Sequence, residues 1–116
     1  MRNTNFVFHL QIFKLFMIAR IWHGKTKQSH IERYSEFLKE TAIPDYEKTA
    51  GFKSLTFLRS VKNDEAHFTL ITYWENLEVI RNFAGQDFEK AKYYPEDKDF
   101  LLEFEEYVEH YEVFAF

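Results

Sequence analysis

"GFKSLTFLRSVKNDEAHFTLITYWE", residues 51–75, contains two strand-like runs, 51–61 and 66–75, joined by the polar link Lys62-Asn63-Asp64-Glu65. Runs rich in β-branched and aromatic residues on either side of a polar link of this length predict an antiparallel hairpin. Upstream, "FMIARIW", residues 16–22, is short, apolar and partly β-branched, and reads as a buried strand bounded by His23-Gly24. Ser29 and Glu32 have the spacing of a capping box, which predicts a helix start. Ile31, Tyr34, Phe37 and Leu38 then recur at helical spacing, and Pro44 is expected to bound the regular part of that helix because it pushes Ile43 out of helical geometry.

Downstream of the hairpin, "NLEVIRNFAG" places Leu77, Ile80 and Phe83 near helical spacing, with Gly85 as the stop. "DFEKAKYY" offers a second short helical turn closed by Pro95, and Phe100, Leu101 and Phe104 predict a short packed helix or turn. "YVEHYEVF", residues 107–114, alternates as a last strand. The order β, α, β, β, α, β predicts an α+β, ferredoxin-like sandwich with helices on one face of an antiparallel sheet. The other sheet face is then left uncovered. With aromatics at 20% of the chain, a second copy is the economical cover, so a homodimer is expected.

At 116 residues the chain has the size of one domain, here residues 17–116, preceded by an extension of residues 1–16. The extension fits both strand alternation (Phe6, Phe8, Leu10, Ile12) and a helical stripe (Phe6, Leu10, Phe13, Met17), and both readings stay open. His9, Gln11 and Lys14 interrupt its apolar run, which falls short of a membrane span and lacks a signal-peptide cleavage site. A formal charge of −4 with interspersed Lys and Arg argues against nucleic acid. The absence of cysteine removes disulfides and thiolate chemistry, and favours a cytoplasmic home.

"MIARIWHGKT", "YSEFLKETAIPDYEKTAGF" and the run from "TYWENLEVIRNFAGQDFEKAKYY" to "YVEHYEV" resemble the antibiotic-biosynthesis monooxygenase family over residues 16–114. The resemblance implies a dimeric α/β barrel with a cavity between each sheet and its helices. It also implies a small aromatic or quinol-type substrate oxidised by O₂ without metal or flavin. The Asn, Trp and His of a haem-degrading branch would fall on Arg20, Phe83 and Tyr93, so the resemblance does not extend to haem degradation.

Such oxygenation needs a base to make an electron-rich anion, donors to hold the charge, and dry aromatic walls. Arg20 shares a strand face with Phe16, Ile18 and Trp22, where it either holds a substrate anion or pairs across the sheet with Glu112. His110 is either the general base or a hydrogen-bonded structural residue; His67, beside a turn, is the weaker candidate. Trp74 reads as core at a strand-to-helix junction, with an indole N–H able to orient a ligand. Of Tyr93-Tyr94, either both rings pack in the core or Tyr94 sits at a cavity mouth as a substrate contact with Trp22. "PEDKD" reads as a solvated loop.

The five histidines show no pair at ligand spacing, and no metal or cofactor is expected. Phosphate-loop, dinucleotide and G-x-S-x-G motifs are also missing. The resulting expectation is a cofactor-independent monooxygenase-like protein. The alternatives are a non-enzymatic ligand-binding or stress-response barrel, and an assembly protein that docks through residues 1–16.

Overall fold

A computed structural model describes residues 17–115. The expected extension 1–16, and Phe16 with it, lies outside the described residues. Four strands, β1 (Met17–Lys27), β2 (Phe52–Lys62), β3 (Glu65–Trp74) and β4 (Glu109–Val113), form one antiparallel sheet in the order β2-β3-β1-β4. That order, with helices in both β–β crossovers, is the ferredoxin-like α+β arrangement.

The hairpin forms as expected. Lys62 pairs with Glu65, and Asn63 and Asp64 both take positive φ, 53° and 63°. This is the conformation of the type I′ turn, whose twist matches that of the flanking strands. β1 runs five residues past its expected end at Trp22, because its far end is paired with β3 up to Lys27. Gly24 has a packing role there: a Cβ at this position would lie 2.3 Å from Cη2 of Trp22, so the indole lies across the glycine.

The first crossover departs from expectation at both ends. Gln28–His30 forms a 3₁₀ turn and α1 (Ile31–Phe37) follows with no side-chain cap, so the Ser29–Glu32 box is not made. Pro44 does not end the helix. A π turn, Leu38–Ala42, leads directly into α2 (Ile43–Glu47), and Ile43 N–H bonds to Leu38 C=O, five residues back. The proline stands in the first turn of α2, directly after the π turn. The wide turn has a second effect. Residues four apart drift about 40° per step around an ideal α-helix, and a π turn winds part of that back. Tyr34, Leu38, Ala42 and Tyr46 therefore stay buried together on the face that meets the sheet.

In the second crossover, α3 (Leu77–Ala84) is capped by the Asn76 side chain, which accepts from Val79 N–H at 3.0 Å, and Gly85 N–H closes it on Arg81 C=O. The expected helical turn over "DFEKAKYY" is absent. Residues 86–108 instead form a long strap whose arms pair with each other through Ala91 N–H to Glu106 C=O and Val108 N–H to Glu89 C=O. Pro95 opens a 3₁₀ helix, Pro95–Asp99, rather than closing one; with no N–H to lose, it suits a first-turn position. The strap is joined to β1 at Thr26–Leu101.

The core lies between the helices and one sheet face, on which Ile18, Trp22, Phe68, Leu70 and Trp74 meet Tyr34, Leu38, Ile80 and Phe83. The opposite face carries Ile21, Ile71, Leu58 and Tyr111, the last two 50% and 49% exposed. No described helix is long and apolar enough to cross a membrane.

Candidate functional site

Strand alternation and the straightened helix face converge on one pocket. β1 contributes Arg20 and Trp22, α1 and α2 contribute Tyr34 and Tyr46, and the strap contributes Lys92, Tyr94 and Asp97. Leu38, Leu70 and Phe83 complete its apolar walls. The open space among these side chains is about 20 Å³, room for about one water.

Arg20 is 3% exposed and is held by the chain rather than by a carboxylate. Nη1 donates to Phe88 C=O at 2.5 Å and Nη2 to Lys90 C=O at 3.0 Å, so the guanidinium fastens one arm of the strap to the sheet. Nη1 also lies 3.0 Å from His110 Nε2. Since a guanidinium can only donate, that nitrogen is the acceptor and the imidazole proton sits on Nδ1. The expected pairing of Arg20 with Glu112 is not made: in the β1–β4 register His110 lies opposite Arg20, and Glu112 lies two residues away opposite Ile18. Burial pulls the Arg20 pKa down to about 10, opposed by the nearby Tyr46 hydroxyl. Burial, and then the Arg20 charge, depress His110 to about 3, so the imidazole is neutral at physiological pH.

Trp22 is 8% exposed, and its buried indole N–H has no hydrogen-bond partner. Its ring is wedged between Gly24 and the edge of Tyr93. Trp74, fully buried, lies behind the pocket, where its N–H donates to Thr72 Oγ1 at 2.8 Å and its ring packs against Phe83 and Tyr46.

Asp45 at the helix end holds the strap from the other side, accepting from Lys92 Nζ at 2.8 Å and from the Tyr94 hydroxyl at 2.7 Å. Burial opposes ionisation, but these bonds win and hold the Asp45 carboxyl below its usual range. Tyr93 points elsewhere, donating to Glu105 C=O, with burial pushing its phenol up to about 12. Burial raises Tyr34, Tyr46 and Tyr94 further, so the pocket phenols are neutral.

"PEDKD" is not wholly solvated. Asp97 is 2% exposed, accepting from the Tyr34 hydroxyl at 2.8 Å and from Tyr94 N–H at 2.7 Å. Burial raises its pKa against the pull of those two bonds.

Of the candidates from sequence, the structure brings Arg20, Trp22 and Tyr94 to the pocket wall. His110 meets it only through Arg20, and Trp74 through Thr72 and Phe83. Sequence reasoning missed Tyr34, Tyr46, Lys92 and Asp97. The repeat of apolar and aromatic residues at 34, 38, 42 and 46 carried a signal for the first two. Lys92 and Asp97 had no local signal. Among the described residues no group of His, Asp and Glu is arranged to hold a metal.

No protein-family model matches the sequence, and no curated protein matches it. Several solved structures share the fold, among them the following two. A protein from Bacillus cereus described as a "putative antibiotic biosynthesis monooxygenase" superposes with a TM-score of 0.58 at 20% identity, over 86% of this chain and 95% of that one. A conserved protein from Methanosarcina mazei Go1 superposes with a TM-score of 0.62 at 16% identity, over 89% of this chain and 98% of that one. The chain therefore shares the fold of these two structures, within the α+β ferredoxin-like class expected from sequence.

Proposed function

We propose that the chain is a homodimeric, cofactor-independent monooxygenase-like protein that takes a small aromatic or quinol-type substrate into this pocket. The observation that carries the reading is the Trp22 indole N–H, buried and unpartnered in the wall of a pocket lined by aromatic rings. Buried donors are nearly always satisfied, so an orphan on a residue that lines a pocket invites an acceptor brought by a ligand. Arg20 and Lys92 place cationic N–H donors in the same wall, suited to an anionic oxygen. In this reading Arg20, Trp22 and Tyr94 contact the substrate, while His110 and Trp74 position Arg20 and Thr72. A ring does not fit into about 20 Å³, so binding requires the strap to lift from Asp45.

The half-exposed Leu58 and Tyr111 on the sheet face away from the core support the dimer, which would cover them. Mass spectrometry under native conditions tests subunit number and retained ligand together, followed by oxygen uptake with a naphthohydroquinone. A dimer that consumes oxygen stoichiometrically with the quinol supports the proposal. A monomer with no uptake overturns it. A ligand-binding barrel without turnover is the second reading, favoured by one observation: Arg20 occupies His110 Nε2, so this imidazole is not free as a base. Its mark is a retained hydrophobic compound and no oxygen consumption.

A further inference from the structure

The pocket wall contains a buried carboxyl, Asp97, whose chemistry the framework bonds do not exhaust. Asp97 is 2% exposed, and among the described residues no cation lies at ion-pair distance from it. Its partners are a phenol and one backbone N–H, each bonded to a different oxygen. A buried charge without a cation is costly. An asparagine carbonyl could keep the bond from Tyr94 N–H, but its amide would leave the buried Tyr34 hydroxyl proton without this acceptor, so the carboxyl also serves the framework. Each carboxyl oxygen keeps lone pairs beyond those two bonds, and Asp97 lines the pocket.

We propose that Asp97 is the proton acceptor of this pocket, taking the hydroxyl proton of a phenolic or enolic ligand while Tyr34 and the Tyr94 amide hold the carboxyl in place. The proposal rests on the pocket being a ligand site. In the step, the ligand O–H bond breaks, a new O–H bond forms on an Asp97 oxygen, and the electron pair stays on the ligand oxygen. Trp22 and Lys92, which line the same pocket, supply N–H donors for the resulting anion. No electrons change hands. The titratable groups around Asp97 are Tyr34 from α1, Tyr46 from α2, and Tyr93, Tyr94 and Glu96 from the strap. All four phenols are neutral, and His110 is engaged by Arg20, which leaves Asp97 as the acceptor lining the pocket. Burial raises its proton affinity toward that of an acidic phenol and so favours the transfer.

4-Nitrophenol is a suitable probe, because phenol and phenolate absorb differently. Binding is followed below the probe's own pKa by absorption, and by calorimetry in two buffers of different ionisation enthalpy, which counts protons released. The expected result is bound phenolate with no net proton released, and loss of the phenolate band in Asp97→Asn. One proton released per bound phenolate, bound neutral phenol, or an unchanged phenolate band in Asp97→Asn each overturns the proposal. The proton count uses the unaltered protein, so it decides even where Asp97→Asn does not fold. No binding of the probe removes the pocket reading and this proposal with it, which separates that failure from the others.

Discussion

Arg20→Met removes the fastener between the sheet and the strap and should be among the costliest single changes in the molecule. The guanidinium satisfies three acceptors, the carbonyls of Phe88 and Lys90 and Nε2 of His110, at 2.5 to 3.0 Å and almost without solvent. Leaving a buried acceptor unpaired costs about 1–3 kcal/mol, and methionine cannot donate to any of the three. Relief from burying the charge offsets part of this, so the net loss is about 3–5 kcal/mol, a large share of the stability of a typical domain. Urea unfolding at neutral pH measures the loss, and native-state hydrogen exchange at the Ala91 and Val108 amides locates it in the strap arms. The His110 imidazole provides a second readout by NMR titration. Its pKa should rise from about 3 once the cation is gone, yet stay below 6.5 because burial is the larger cause. A loss under about 1 kcal/mol with strap amides as protected as in the parent would refute the reasoning.

His110 makes stability depend on pH. Its folded pKa of about 3 lies below the ordinary 6.5, so the unfolded chain binds the extra proton between those values and stability falls as pH drops through that window. Between pH 6.5 and 5 the loss is about 2 kcal/mol, and His110→Gln should show that much less acid sensitivity in urea melts; an equal slope in both proteins counts against it. Gly24→Ala drives a methyl to 2.3 Å from Trp22 Cη2 and should cost about 1–3 kcal/mol while changing the near-ultraviolet circular dichroism; an unchanged melt and spectrum would contradict the packing. Asp45→Asn weakens the bonds from Lys92 and Tyr94 and should cost about 1–2 kcal/mol at neutral pH. Because the folded carboxyl titrates below its usual value, the difference should vanish as acid protonates Asp45, which a pH series of thermal melts checks.

Elements governed by local periodicity are legible in the amino-acid sequence itself. The hairpin at residues 52–74, the last strand and the helix Leu77–Ala84 each repeat their own spacing within a few residues, and turn and cap residues mark their ends. Alternation also places Arg20 and Trp22 on one strand face, and so on one side of the core. Periodicity reports which face a side chain occupies, but not what stands opposite. Whether Arg20 meets Glu112 or His110 depends on register between strands 90 positions apart in sequence. Nothing near either strand encodes that choice; packing of the whole sheet makes it.

Other features are decided only by tertiary contacts. Pro44 is normally a helix boundary, and the π turn that carries the chain through it forms where Tyr34, Leu38, Ala42 and Tyr46 are all buried. The strap 86–108 has almost no regular structure of its own, and reads locally as helix, loop and charge. Its shape comes from Arg20, Asp45 and Thr26, residues 47 to 75 positions away that hold its carbonyls, its Lys92 and Tyr94, and its Leu101. Thus the composition and spacing of neighbours sufficed for the α+β sandwich, since each strand and helix must hide its own apolar face. The pocket, with the burial of Asp97 and the orphan N–H of Trp22, arises only where three distant segments close on one another.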